Sequence, residues 1–211
     1  MEKLFTKISA VILSVLLLMS AMPMAFASTV VASGTDAGLE WNLDNDGVLS
    51  VAGAGSMSDN AQGSDTGWYA LREQVKSIVI GGSVTYIGEL AFYECVNLES
   101  VSLGEKVTAI GEGAFYGCTS LKSVKIPSGV SAIGKKAFGY YYDDSTDKTV
   151  VVDGFNIDGA EGSAAESYAE ENGLSFNGQM PQKYRFIGKF VQRVMEFFRQ
   201  LFERITSVFA K

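Results

Sequence analysis

The sequence predicts a β-rich solenoid of about three 23-residue coils, with a cap at each end and an amphipathic helix beyond the second cap. Three observations predict it. Sliding the chain over itself gives one strong register. In it Ile78, Val101 and Val124 coincide, as do Ile80/Leu103/Ile126, Val84/Val107/Val130, Ile87/Ile110/Ile133, Gly88/Gly111/Gly134, Ala91/Ala114/Ala137 and Phe92/Phe115/Phe138. Each copy begins with a short alternation, SIVI at 77–80 in the first, which is the period of a strand with one face buried. Finally, 211 residues hold two Cys and no His, so neither a disulfide framework nor a His-ligated zinc can replace packing. One coil cannot bury both flanks of its own apolar set, so the coils must stack and share a core.

Composition also narrows function. With 17 Lys+Arg against 24 Asp+Glu the net charge is −7, and a pI near 4.7 argues against nucleic acid, whose binders need a basic footprint. The missing His removes Ser-His-Asp and Cys-His machinery and any imidazole base. No cofactor is expected.

Residues 1–27 read as a signal peptide. Lys3 and Lys7 precede an apolar run from Ile8 to Met19, and Ala25-Phe26-Ala27 supplies the small-residue cleavage site, so export with cleavage after Ala27 is expected. Residues 28–73 form an N-terminal β cap, in which positions 39–53 alternate around Asp44-Asn45-Asp46-Gly47 as a hairpin. The same acids open like a calcium loop, but Gly53 stands where that loop needs a bidentate carboxylate.

Residues 74–147 hold the repeats. Each has a strand, a turn (Gly81-Gly82, Gly104-Glu105 or Pro127-Ser128), a second extended piece ending at Ile87, Ile110 or Ile133, and a helical or 3₁₀ turn that buries the aromatic. Stacking at the ~4.8 Å strand spacing turns equivalent positions into ladders. Lys76, Glu99 and Lys122 would then alternate in sign. Cys95 and Cys118 share a rung, as a disulfide or as a pair of buried thiols, with Tyr141 at the third-coil equivalent.

The runs VTYIGELAFYECVNL (84–98) and VTAIGEGAFYGCTSL (107–121) follow the pattern VxxIGxxAFxxCxxL and resemble leucine-rich repeats of the BspA type. The segment 41–53 with Trp68, and the segment 162–173, are similar to the flanks that often precede and close such repeats. The resemblance implies a leucine-rich-repeat solenoid and a secreted or cell-surface bacterial protein of the interaction or adhesion kind, with no catalytic residue. The third repeat departs from the pattern: Phe138 leads into GYYYDDSTD, so the array is expected to stop there.

Residues 148–178 form a small α/β C-terminal cap. Ser163 to Glu166 is a capping box, Gly173 a helix stop, and positions 174–176 a last strand. Asp143, Asp144 and Asp147 read as a solvated loop.

Residues 179–211 change character. Ile187, Phe190, Val191, Val194, Met195, Phe197, Phe198, Leu201, Phe202, Ile205, Val208 and Phe209 fall in one arc of about 160° at helical spacing. Lys189, Arg193, Arg199 and Arg204 flank or oppose that arc. Three uses stay open: an anionic membrane surface, self-association through a 4-3 spacing, and docking on the solenoid. The expected function is an exported, non-enzymatic binding or adhesion-type protein, attached through this helix to a membrane or cell envelope. A soluble secreted interaction protein is the alternative, and a carboxylate-dependent hydrolase a remote one. Its partner is a protein or glycan of unknown identity. Tyr93, Tyr116, Tyr140, Tyr141 and Tyr142 form the aromatic stretch expected either to contact it or to pack on the core.

Overall fold

A computed structural model describes residues 28–60 and 67–177. The signal-peptide expectation for 1–27 and the amphipathic helix expected at 179–211 lie outside the described residues.

The chain opens with an antiparallel meander, β1 (Val30–Asp36), β2 (Leu39–Asp44) and β3 (Val48–Ala52). The β2–β3 turn is held by the Asp44 carboxylate, which accepts the N–H groups of Asp46 at 3.0 Å and Val48 at 2.8 Å. These bonds, the Val48 one foremost, keep its pKa below the usual carboxylate range. β4 (Gly55–Ser56) follows, then a 3₁₀ helix over Tyr69–Gln74.

The coils begin with β5 (Ser77–Ile80) and β6 (Val84–Ile87), continue with β7 (Ser100–Ser102) and β8 (Ala109–Ile110), and then β9 (Ser123–Lys125) and β10 (Ala132–Ile133). Pairing is parallel and in the expected register of 23, Ser77 opposite Ser100 and Ile87 opposite Ile110. Two columns result. One runs β4-β6-β8-β10; the other carries β3-β5-β7, with β9 packed beside β7. The β2–β3 hairpin is therefore more than a lid. β3 pairs in parallel with β5 and β4 with β6, so β3 and β4 make a rung of their own before the first repeat.

The third side of each coil is a succession of tight turns, not a helix. Ala91 N–H donates to Gly88 O, Tyr93 to Leu90, Cys95 to Phe92 and Leu98 to Cys95, and the next coil repeats the pattern. Bonds also cross between coils: Phe92 N–H to Ala114 O and Phe115 N–H to Ala137 O, both 2.8 Å. Gly111 permits this closeness, since a Cβ there would stand 2.5 Å from Glu89 N.

Inside, the rings of Trp68, Phe92, Phe115 and Phe138 stack at centroid spacings of 5.8, 5.1 and 4.7 Å. At either end the stack meets a ring turned edge-on, Trp41 at 82° and Tyr168 at 84°. Around this spine lie Val84, Val107 and Val130, Leu98 and Leu121, all buried, with Val101 and Ile133 partly buried against them.

After Phe138 the chain makes an antiparallel hairpin, β11 (Tyr140–Asp143) and β12 (Lys148–Val151), then returns. β13 (Asn156–Asp158) pairs in parallel with β9, Asn156 opposite Ser123, an offset of 33 where the other coils have 23. The array does not stop at Phe138. It takes in ten extra residues and lays down one more rung. The sequence hides this because the hairpin shifts the register of everything that follows. Helix α1 (Ala164–Asn172) buries Ala165, Tyr168 and Ala169, and β14 (Ser175–Phe176) pairs with β13. α1 ends in a Schellman motif, with Gly173 at φ 69° and Leu174 N–H reaching Ala169 O at 2.9 Å. Its start differs from the expected capping box. Glu166 accepts the N–H of Gly162, and the Ser163 hydroxyl donates to Ala160 O, so neither side chain closes on the other's backbone.

Two expected ladders also change. Among the described residues Lys76, Glu99 and Lys122 make no ion pair; the rung is joined through Glu99 N–H to Lys76 O and a Ser100–Ser77 hydroxyl bond of 2.9 Å. Tyr141 does not occupy the third thiol rung. Val152 does: Phe155 N–H donates to Val152 O just as Leu121 N–H donates to Cys118 O, while Tyr141 sits in β11 opposite Val150.

Candidate interaction surface

The turns after each buried Phe put the next residue, Tyr93 or Tyr116, on the outside of the coil. Identical turns one coil apart bring the two rings parallel, 5.7 Å between centroids and 8° between planes. Both are half-buried. The row is continued at both ends. On one side the Arg72 guanidinium lies over the Tyr69 ring, 4.4 Å from its centroid, and sits 3.9 Å from the Glu94 carboxylate. On the other, the Tyr116 hydroxyl meets Thr149 Oγ1 at 3.1 Å and Lys136 Nζ donates to the same oxygen at 3.5 Å. Tyr142, exposed beside Thr149's strand, donates its hydroxyl to Asp147. Each ring is thus pinned by its own chain before any partner arrives, the condition under which an aromatic side chain loses least entropy on binding.

Partial burial, then the neighbouring Glu94 carboxylate, pushes the Tyr93 phenol up to about 12. The bond to Asp147 raises Tyr142.

Of the five tyrosines singled out in the sequence, the structure sets Tyr93, Tyr116 and Tyr142 along this edge. Tyr140 turns to the cap, its hydroxyl 2.9 Å from Asn172 Oδ1, and half-buried Tyr141 packs on the core. Sequence reading missed Tyr69 and Arg72, which precede the repeat register. It also missed the row Leu90/Gly113/Lys136. All three have positive φ, of 53°, 59° and 52°. The single glycine in that row was the available signal: two side chains are held in a conformation that L-residues avoid, next to the tyrosine edge.

Cys95 and Cys118 are free thiols, both buried. Cys118 Sγ–H donates to Phe92 O at 3.3 Å, and burial, with Cys95 close by, raises its pKa. Among the described residues no cluster of Cys, Asp and Glu could hold a metal ion, and Asp44 and Asp143 direct their carboxylates to their own turns. A shallow polar groove on the strand side is lined by Ser123, Lys125, Asn156, Asp158 and Asn177. The expected contact face of 179–211 lies outside the described residues, and among those described no helix is long and apolar enough to cross a membrane.

Compared with known proteins, residues 67–146 match the family model for the BspA type leucine-rich repeat region (6 copies). No curated protein matches. Among solved structures, a leucine-rich repeat protein from Eubacterium ventriosum is similar at 23% identity and a TM-score of 0.41, over 61% of this chain and 47% of that one. The chain therefore spans about half the length of that protein. The T. pallidum leucine-rich repeat protein is similar at 17% identity and TM-score 0.33, over 59% of this chain and 70% of that one. A leucine-rich cell surface protein from Faecalibacterium prausnitzii is similar at 15% identity and TM-score 0.23, over 65% and 67%.

Proposed function

We propose, from the match of residues 67–146 to the BspA type leucine-rich repeat region, that the protein is an exported, non-enzymatic binding protein which meets its partner through the turn edge of its coils. The observation that carries the reading is the pinned row Tyr69, Arg72, Tyr93, Tyr116 and Tyr142. Tyr and Arg dominate the energetics of protein interfaces, and insertions in repeat arrays fall mostly on the binding face. The β11–β12 hairpin, which brings the ten extra residues, lies on this edge; the strand face offers Ser77, Val79, Ser100, Ser102, Ser123 and Lys125 instead. The buried thiols and the self-satisfied carboxylates support binding rather than catalysis. The partner is a protein or a glycan.

Export follows from the signal-like 1–27, and attachment from the basic, Phe-rich segment 183–211, whose recipe is that of an interfacial helix on anionic lipid. Two experiments test the reading. Protein and glycan arrays are probed with the wild type and with a Tyr93→Ala/Tyr116→Ala variant; binding in the wild type should fall about tenfold or more in the variant. Signals of equal strength would move the contact elsewhere. For attachment, the protein from Ser28 onward should float with anionic vesicles while a version ending at Gly178 stays below.

A further inference from the structure

Helix α1 buries Ala165, Tyr168 and Ala169 against the solenoid, which turns Glu166, Ser167, Glu170 and Glu171 outward. Glu166 and Glu170 are one helical turn apart, a like-charge pair. Glu170 and Glu171 stand in the last turn, where no basic residue accompanies them. The carbonyl end of a helix carries partial negative charge, so this is the least favourable place for carboxylates and the most favourable for a cation. Nor is relief found nearby. Residues 139–177 contain nine carboxylates against the single Lys148, and among the described residues none of the nine is in an ion pair. The rest of the described body is milder, its acids interspersed with Arg72, Lys76, Lys106, Lys122, Lys125, Lys135 and Lys136.

The chain itself supplies the complement. From Lys183 to Lys211 it has seven basic residues against Glu196 and Glu203, and only the uncharged 178–182 separates this stretch from the end of β14 and its following Asn177. A tether that short holds the basic stretch near α1 at an effective concentration in the millimolar range.

We propose that the outer face of α1 is the docking surface for the chain's own basic segment 183–211. The occupant is fixed by charge complementarity and by where the segment begins, beside the most acidic part of the body. Its basic flank meets Glu170, Glu171 and the helix carbonyl end. The consequence rests on the attachment reading above: headgroups of an anionic membrane compete for the same cations, so docking on α1 and binding to lipid exclude one another. The tail is then sheltered in solution and released at a charged surface.

The test follows first tryptic cuts after Lys183, Arg185, Lys189 and Arg193 in the protein from Ser28 onward, wild type against Glu170→Gln/Glu171→Gln. At about 20 mM salt the wild-type tail should be cut about threefold more slowly than the variant's, and at about 500 mM salt the two should converge. Hydrogen exchange of the α1 amides gives a second reading on the unaltered sequence: they should exchange more slowly with the tail present than in a version ending at Gly178. Equal cutting of both proteins at low salt, with unchanged α1 exchange, overturns the proposal. So does protection that grows with protein concentration and survives in the variant, which assigns the contact to a second copy. Vesicle flotation reads attachment separately. Flotation without low-salt protection overturns docking alone; protection without flotation overturns attachment alone.

Discussion

A Cβ at Gly111 would lie 2.5 Å from Glu89 N and 2.7 Å from Glu89 Cα, and the equivalent Gly134 stands in the same relation to Glu112. Backbone is pressed on backbone, with no flexible side chain to yield. Gly111→Ala is expected to lower stability by about 3 kcal/mol or more, measured by urea unfolding, because the coils must separate to admit one methyl group. A loss near that of a surface substitution would mean that the coils are less tightly apposed. Titration of single residues has its own signature. Tyr86 and Tyr93 are both pushed up to about 12, mainly by burial, with Asp59 and Glu94 respectively adding to it. A phenol whose folded pKa is raised favours the folded state fully below its unfolded value near 10, and that contribution is lost as pH rises towards 12. Stability should therefore fall between about pH 10 and 12, and Tyr93→Phe should flatten part of that fall in chemical denaturation.

At the scale of elements, the hydroxyl of Tyr168 ties α1 to the aromatic spine, beside the packing of Ala165 and Ala169. Tyr168 OH accepts the Phe138 N–H and donates to Phe138 O, both at 3.0 Å in a buried setting. Tyr168→Phe keeps the ring and strands two backbone groups, so a loss of about 1–3 kcal/mol is expected in thermal or urea unfolding. An undiminished stability would show that water reaches Phe138. The helix bounds, 164–172, were legible because Gly173 and the preceding acids punctuate the chain, and the hairpin over 39–53 because Asp44 and Gly47 mark its turn. The β11–β12 hairpin was not legible. Tyr141 and Asp144 occupy the positions where the register wanted Cys and Leu, and no local feature says that the register resumes ten or eleven residues later at Val152, Phe155 and Ile157. β1 was missed for a different reason: Val30, Val31 and Ala32 are an edge strand with little burial, so the alternation that betrays a strand is faint. Of the interaction edge, only the tyrosines inside the repeat could be read from spacing. Arg72 over Tyr69 depends on a 3₁₀ helix outside the period.

At the scale of the whole molecule, the described coils stack each on the next, so stability is a sum of coil terms and interface terms. Phe115 sits in the middle of the ring stack, between Phe92 and Phe138, and is buried. Phe115→Ala should remove two ring contacts and leave a cavity, at a loss of about 3–5 kcal/mol, with unfolding of the two halves becoming less concerted. A single sharp transition with a small shift would place the cooperativity outside the stack. The edge-on rings of Trp41 and Tyr168 bear on a different property, the number of coils the molecule can have. At each of these two stoppers the parallel stack gives way to an edge-to-face contact. Between its two stoppers the protein can be lengthened like a telescope, by a whole 23-residue unit inserted between Phe92 and Phe138, carrying one more tyrosine to the edge.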